Sequence, residues 1–197
     1  MKRLALSCVL LVALSAGCDS GRREAPSAFS GVDITGAEYG KELALSDHTG
    51  RPRILADFQG KLVAVFFGYT HCPDVCPTTL AELAQTMKLL GAQADQVQVL
   101  FVTLDPARDD AAMLARYVPS FYPSFLGLRG DDAATVKAAR SFRVFFEKQP
   151  GKGPQDYSLD HTAGVFVIDR QGRTRLFFNL GLRPEQMAAD LRVLLRQ

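Results

Sequence analysis

Apolar and polar residues alternate along this chain in blocks that predict strands and helices in turn. Residues 62–67 are apolar throughout and residues 97–104 are nearly so, which is typical of central strands covered on both faces. Between them, apolar side chains recur at helical spacing from Thr78 to Leu90, and Gly91 follows as a stop signal. A strand, a helix and a second strand in this order predict two parallel strands joined by a right-handed crossover.

The second half of the chain continues the same alternation. Asp105 suits the N-cap and Pro106 the first position of a helix that runs to about Tyr117. The further predicted elements are a strand at 125–128, a helix over 133–142 capped by Asp131 or Asp132, a polar Gly/Pro-rich loop over 149–160, a hairpin of 164–169 and 174–178, and a terminal helix over 183–196 entered through Pro184. The aromatic side chains predicted to lie in the core are Phe121, Tyr122, Phe125, Phe142, Phe145 and Phe146.

The region before the first core strand has a weaker pattern. Residues 31–60 alternate loosely around turn signals at residues 47–52, which predicts a short hairpin. Together these elements predict an α/β fold with a mixed central sheet flanked by helices and an N-terminal hairpin extension. The length of residues 31–197 suits one domain, and no internal repeat divides it.

The first residues are predicted to be a signal rather than part of the fold. Two basic residues precede an apolar stretch shorter than the roughly 18 residues that span a bilayer, so residues 1–17 are interpreted as a signal peptide. Cys18 resembles the lipid-attachment cysteine of a bacterial lipoprotein, and Asp19 beside it implies retention at the inner membrane with the domain facing the periplasm. Residues 18–30 would then form a flexible tether. An ordinary cleaved signal peptide is the alternative.

Charge gives no indication of a nucleic-acid partner. The chain has 23 Lys and Arg against 21 Asp and Glu, and the predicted signal peptide removes two basic residues and no acidic one. The remaining chain therefore has 21 of each and no net charge. A neutral domain without a basic stripe is not expected to bind nucleic acid.

Two cysteines, Cys72 and Cys76, follow the first core strand, and each precedes a proline. They lie just past the carboxyl end of that strand, where open α/β sheets bind their ligands. Pro77 suits the first position of the next helix, which predicts Cys76 as its cap, where the helix dipole favours the thiolate. Two thiolates one turn apart can share a soft metal such as Cu(I) or zinc, and they can also form a redox-active disulfide.

A third ligand would define the metal site, and histidine is the expected type. His48 lies in a turn and is predicted to be solvated, while the His71 side chain is predicted to point away from the neighbouring cysteine. If the strand after His161 runs antiparallel to the central strand, His161 lies at the same sheet edge as the two sulfurs. Asp160 could then hold the imidazole tautomer, and Asp74 or Asp160 could add an oxygen donor for Cu(II).

Three stretches of the chain resemble the Sco/SenC family of membrane-tethered copper proteins. They are GYTHCPDVCP at residues 68–77, TLDPARD at residues 103–109 and LDHT at residues 159–162, and they occur in the order of the family. The resemblance covers roughly residues 30–195. It implies a thioredoxin-like fold for the whole domain.

The resemblance also implies a site and a function. The site would be a copper site formed by Cys72, Cys76 and His161. The function would be to deliver copper to, or to reduce the cysteines of, the copper centre of cytochrome c oxidase subunit II, as a metallochaperone with possible thiol–disulfide reductase activity. In the middle stretch, a helix cap at Asp105 and a surface position for Arg108 are sufficient explanations without a catalytic role.

Three other functions remain open from the sequence. The first is a thiol–disulfide oxidoreductase of thioredoxin type without an obligatory metal, although its usual motif has two residues between the cysteines and this chain has three. The second is a peroxidase of peroxiredoxin type, in which the threonine would stand three positions before the cysteine; Thr70 stands two before Cys72. The third is a zinc-binding or purely interacting lipoprotein domain, in which the zinc ligands would be two cysteines, one histidine and a water.

Overall fold

The computed structural model describes residues 28–153 and 156–197. The predicted signal peptide, Cys18 and the tether up to residue 27 lie outside the described residues. Within the two described ranges, the search for a helix of sufficient length and hydropathy to span a membrane found none.

Strands and helices follow one another much as the sequence predicts. The strands are β1 (Val32–Asp33), β2 (Ala44–Asp47), β3 (Pro52–Ile54), β4 (Leu62–Gly68), β5 (Val97–Thr103), β6 (Leu126–Arg129), β7 (Phe146–Gly153), β8 (Asp156–His161), β9 (Val165–Ile168) and β10 (Thr174–Phe178). The helices are α1 (Val75–Leu90), α2 (Ala111–Phe121), α3 (Asp132–Ser141) and α4 (Pro184–Leu195), with 3₁₀ turns at Leu55–Phe58 and Gly91–Gln96.

Eight of these strands form one mixed sheet. Their order is β1-β10-β9-β4-β5-β6-β2-β3, in which β4, β5 and β6 run parallel and β9 runs antiparallel to β4. Helix α1 packs against α4, and α2 packs on β6. The predicted α/β class, the mixed sheet and the parallel pairing of the first two core strands are confirmed.

The two central strands position the functional region. Strands β4 and β5 are buried at every residue, and their side chains are apolar except for Gln98 and Thr103 in β5. Phe66, Phe67 and Phe101 are almost completely inaccessible, and full burial of one such side chain contributes about 1.5–3 kcal/mol. The pairing places Gly68 beside Thr103 at the carboxyl edge of the sheet, and the loop that carries the cysteines leaves from this edge.

The predicted N-terminal hairpin forms, but it is part of the sheet rather than an extension of it. Strand β2 pairs with β3 and also with β6, so the hairpin supplies the last two strands of one edge. Strand β1 pairs with β10 at the opposite edge. Pairing with an existing edge satisfies backbone groups that an isolated hairpin would leave exposed.

Two helices begin at residues other than those predicted. Helix α1 begins at Val75 with Asp74 at its N-cap, so Cys76 lies inside the first turn and is not the cap residue. Proline is compatible with this because the first four N–H groups of a helix have no intrahelical partner. Helix α2 begins at Ala111, and the Asp110 carboxylate at its N-cap accepts a hydrogen bond from the Met113 N–H; the helix thus begins five residues later than predicted from a cap at Asp105.

The predicted loop at residues 149–160 is instead a hairpin. Strands β7 and β8 pair antiparallel, with Phe146 opposite His161 and Lys148 opposite Leu159. Among the described residues, they form a two-stranded sheet of their own and pair with no strand of the main sheet. Glycine and proline in β7 obscured the strand, because both residues are typical of turns.

Two smaller expectations also differ from the structure. At the end of the predicted tether, the backbone N–H groups of Ser30 and Gly31 donate to the buried Asp190 carboxylate at 3.0 and 2.8 Å, so these residues are fixed to the domain. Among the aromatic residues predicted to be core, Phe125 and Phe142 are fully buried, whereas Phe145 is 62% exposed.

Candidate metal centre

The two cysteines lie on either side of the entrance to α1. Cys72 is half-buried in the loop after β4, and Cys76 is completely buried in the first turn of the helix. A methyl group added at Gly68 would lie 2.8 Å from the Cys76 Sγ. Glycine at this position is therefore what lets the helix bring its sulfur against the end of β4.

The structure brings His161 to the second cysteine. His161 is the last residue of β8, and its Nε2 lies 3.7 Å from the Cys76 Sγ. A sulfur and an imidazole nitrogen bound to one ion at about 2.3 and 2.0 Å, the lengths known for zinc, would be about 3.5–3.8 Å apart at tetrahedral to trigonal angles. The observed separation of this pair fits two ligands of a common ion.

Cys72 is joined to this pair of residues through the backbone of Cys76. Its Sγ accepts a hydrogen bond from the Cys76 backbone N–H at 3.4 Å, and both cysteines are free thiols. In the described part of the chain, no group of three or more His, Cys, Asp or Glu side chains is placed to hold a metal ion as it stands. A three-ligand site would therefore require an adjustment of the partly exposed Cys72 loop.

Burial, rather than the helix dipole, controls the protonation of Cys76. Loss of contact with water raises the pKa of the Cys76 thiol well above its usual range, and a hydrogen bond from the Tyr69 backbone opposes the shift only in part. The expectation that the helix entrance favours the thiolate is therefore wrong for this residue. A carboxylate or thiolate gains from a helix N-terminus about 1 kcal/mol, which is less than the cost of removing the charge from water.

The imidazole of His161 is oriented by the backbone. Its Nδ1 lies 3.0 Å from the Thr162 carbonyl oxygen, which can only accept, so Nδ1 carries the proton and Nε2 presents its lone pair to Cys76. The rings of Tyr69 and Phe66 pack around it. Asp160 does not have the predicted orienting role, because successive side chains of a strand point to opposite faces and Asp160 is exposed.

The remaining predicted residues lie apart from this cluster. Asp74 is exposed at the N-cap of α1, and its carboxylate accepts from the Thr78 hydroxyl at 3.4 Å. The exposed His71 ring contacts the Thr70 hydroxyl. His48 is half-buried and accepts a hydrogen bond from the Gly127 N–H at 3.1 Å, so the expectation of a solvated side chain is wrong.

A buried carboxylate that the sequence did not reveal supports the cysteine loop. Asp109 is completely buried, and its two oxygens accept from the Thr70 N–H at 3.0 Å, the Thr70 hydroxyl at 2.5 Å and the Thr103 hydroxyl at 2.6 Å. These bonds fix the backbone two residues before Cys72. The sequence did contain one indication of this role. The stretch TLDPARD has two aspartates, Asp105 and Asp109, whereas a helix cap would require only one.

Arg108 and Asp105 are also buried, in contrast to the surface position expected for the arginine. Their side chains are 11% and 4% exposed, and the Arg108 Nε donates to the Asp105 carboxylate at 2.5 Å. The Asp105 carboxylate also accepts from the Tyr157 hydroxyl at 2.8 Å. One partner, Arg108, is three residues away and the other, Tyr157, lies on the β7–β8 hairpin, so a purely local capping role does not describe Asp105.

The fold and the site together define a dithiol protein of the thioredoxin-like class, with a histidine beside the second sulfur. The SCO1/SenC family model matches residues 32–196, and the chain belongs to this family. The resemblance inferred from the three sequence motifs is thus confirmed, as is the thioredoxin-like fold.

Individual relatives agree with this assignment. The chain is 39% identical to the mouse protein SCO2 homolog, mitochondrial, over 153 residues, which are 77% of this chain and 60% of that protein. It thus spans little more than half of the length of the mammalian relatives it matches. The structure of Bradyrhizobium japonicum ScoI with copper bound is 42% identical, with a TM-score of 0.74 over 80% of this chain and 99% of that one. Yeast Sco1 with copper bound is 29% identical, with a TM-score of 0.75 over 82% and 90%.

Proposed function

We propose that this protein binds a copper ion as cargo through Cys72, Cys76 and His161 and passes it to another protein. The observation that carries the proposal is the 3.7 Å separation of the Cys76 Sγ and the His161 Nε2, with the Cys72 sulfur directly beside Cys76. Two sulfurs and one imidazole are the soft donor set that Cu(I) prefers. The copper-bound structures of ScoI and yeast Sco1 support the choice of copper over zinc.

The surroundings of the three residues differ in burial and in access to a partner. Cys76 is buried and holds its proton at neutral pH, so copper must displace a proton from it to bind. The His161 Nε2 faces the Cys76 sulfur, while its Nδ1 lies against the Thr162 carbonyl oxygen. Cys72 and His161 are half-buried whereas Cys76 is buried, so an incoming thiolate of a partner would meet the ion from the side of Cys72 and His161.

The recipient in this proposal is the copper centre of cytochrome c oxidase subunit II. Membership of the SCO1/SenC family supports a role in oxidase assembly. The two sulfurs and the imidazole of the site would hold Cu(I), the form of copper that thiolates of a recipient bind. In the same proposal, a lipid on Cys18 holds the domain at the periplasmic face of the bacterial inner membrane. Lipid attachment can be tested by mass spectrometry of the chain purified from membranes, with Cys18→Ser as the matched variant.

The difference in exposure between the two cysteines supports a second candidate function, reduction of a partner's disulfide. Cys72 is half-buried and can be reached by another protein, while Cys76 is buried and burial raises the pKa of its thiol. Cys72 would attack the partner's disulfide, and Cys76 would then displace the partner as a dithiol, leaving a Cys72–Cys76 disulfide. This function has no need of His161.

Copper stoichiometry in the reduced protein tests the proposal. We expect one Cu(I) per chain in the wild type, none retained by Cys72→Ser or Cys76→Ser against a competing chelator, and at least tenfold weaker binding in His161→Ala. His71→Ala is the matched control, since this exposed histidine adjoins Cys72 but does not face the second sulfur. Copper binding that is the same in His161→Ala and His71→Ala would refute the site, and disulfide reduction without copper binding would favour the second function.

A further inference from the structure

The β7–β8 hairpin that carries His161 has little support of its own. In the part of the chain that the structure describes, it is a two-stranded sheet that pairs with no strand of the main sheet, and an isolated hairpin of this kind is marginally stable in water. Most side chains of β7 are exposed. The position of His161 must therefore depend on side chains that fasten the hairpin to the rest of the domain.

Those side chains lie on one face of β8. The alternation of a strand places Tyr157, Leu159 and His161 on the same side, and these are the less exposed residues of the strand. Leu159 is 8% exposed and packs in the core. At about 3.3 Å per residue, Tyr157 lies roughly 13 Å along the strand from His161.

At Tyr157, the hairpin is tied to the loop that follows β5. The Tyr157 hydroxyl donates to the Asp105 Oδ1 at 2.8 Å, and the Arg108 Nη1 donates to the Tyr157 carbonyl oxygen at 3.0 Å. The Arg108 guanidinium also lies over the Tyr157 ring, with 3.5 Å between its central carbon and the ring centroid. Arg108 thus contacts both the backbone and the ring of one hairpin residue while it pairs with Asp105.

The loop that holds this contact is itself rigid. The Asp105 N–H donates to the Thr103 hydroxyl at 3.0 Å, and the Leu104 N–H donates to the Gly68 carbonyl at 2.8 Å. Gly68 in turn lies against the Cys76 sulfur. The same backbone therefore supports the cysteines on one side and the hairpin on the other.

We propose that Asp105, Arg108 and Tyr157 form a latch that positions His161 against Cys76 by holding the β7–β8 hairpin on the domain. The three are positioning residues, because the contacts described above hold the hairpin against the loop after β5. Opening of the latch lets His161 leave Cys76 without unfolding the main sheet. The effect of the latch on copper binding rests on the proposed function. Its effect on the position of the hairpin does not.

Amide hydrogen exchange of the metal-free, reduced protein tests the latch without copper. Tyr157→Phe keeps the ring under the guanidinium and removes the hydroxyl that donates to Asp105, and a hydrogen bond to a charged group corresponds to about a tenfold change. We expect residues 146–161 to exchange about tenfold faster in Tyr157→Phe and faster still in Arg108→Ala, with β4 and β5 unchanged. Tyr122→Phe is the control. The Tyr122 ring packs on Phe125 near the end of α2, so this change should leave exchange of the hairpin unchanged.

A double-mutant cycle on Cu(I) affinity tests whether the latch acts through His161. Competition with a chromophoric chelator should show threefold to tenfold weaker binding in Tyr157→Phe than in the wild type, by loss of the hydrogen bond at Asp105. In a His161→Ala background, the same change should have no further effect, because the group that the latch positions is already gone. A purely structural role of Tyr157 would weaken binding equally in both backgrounds.

The results separate the two proposals. Exchange in 146–161 that is unchanged in Tyr157→Phe, or that rises equally in β4 and β5, overturns the latch. Equal losses of copper affinity with and without His161 overturn its action on the site. A wild type that binds no Cu(I) refutes the proposed function, while the exchange experiment still decides whether the latch exists.

Discussion

Gly68→Ala is the smallest change that acts directly on the cysteine cluster. The added methyl carbon would lie 2.8 Å from the Cys76 Sγ and 3.0 Å from the Phe101 Cε2. Ordinary contacts begin near 3.5 Å, so the sulfur or the strand must move by about 0.7 Å. Forcing one methyl group into a packed core costs about 1–3 kcal/mol.

The change has two measurable consequences. Urea unfolding of the metal-free protein should show a loss of about 1–3 kcal/mol, and the Cu(I) affinity should fall at least tenfold because the Cys76 sulfur is displaced from His161. Gly153→Ala is the matched control, since a methyl group there meets no atom within 4 Å, and its stability should change by less than about 0.5 kcal/mol. Wild-type stability and copper affinity in Gly68→Ala would refute the argument that close packing at Gly68 positions Cys76.

Three further predictions concern groups around the site and the start of the domain. Burial raises the pKa of the Cys76 thiol, so as the pH rises the unfolded chain loses this proton before the folded protein does. The reduced, metal-free protein should therefore become less stable above the unfolded pKa of about 8.5, by about 1 kcal/mol between pH 7.5 and 9.5. Urea titrations of Cys76→Ser should lack this loss of stability. Asp109→Ala leaves three donors without their acceptor and should cost about 2–4 kcal/mol in thermal or urea unfolding, while Asp109→Asn should retain most of the stability; equal losses would contradict the hydrogen-bonding role. Asp190→Ala should cost about 1–3 kcal/mol and speed exchange of the Ser30 and Gly31 amides, and protection equal to that of the wild type would contradict the anchoring role.

The parts of the fold that the sequence predicts well are those determined by local pattern. Strands β4 and β5 are apolar at nearly every position, and this pattern predicts central strands that are covered on both faces. The α3 cap at Asp131 is also local, because the carboxylate bonds to an amide three residues away. His161 was located from topology, since an antiparallel β9 had to begin where β4 ends.

The parts that the sequence missed depend on partners far along the chain. Asp105 has the sequence of a helix cap, but its carboxylate bonds to Tyr157, 52 residues away, and the helix therefore begins at the next suitable aspartate, Asp110. Nothing local distinguishes these two positions. The β7–β8 hairpin did leave a signal, the alternation of apolar and polar residues in DYSLDH, which the glycines and proline of the preceding stretch concealed.

The pKa of Cys76 shows the same limit at the level of chemistry. From the sequence, a cysteine at a helix entrance is expected to ionise easily. In the folded protein, that cysteine is completely buried, and desolvation outweighs the effect of the helix. Only the packing of β4, α1 and the hairpin around the sulfur reveals which effect is larger.

The most direct test of the central claim is X-ray absorption at the copper edge of the Cu(I)-loaded, reduced protein. If Cys72, Cys76 and His161 share one ion, the spectrum should require two sulfur donors and one imidazole nitrogen. His161→Ala should lose the imidazole contribution, while the control His71→Ala should keep it. A spectrum with sulfur donors alone in the wild type, or an imidazole signal that survives in His161→Ala, would contradict the claim.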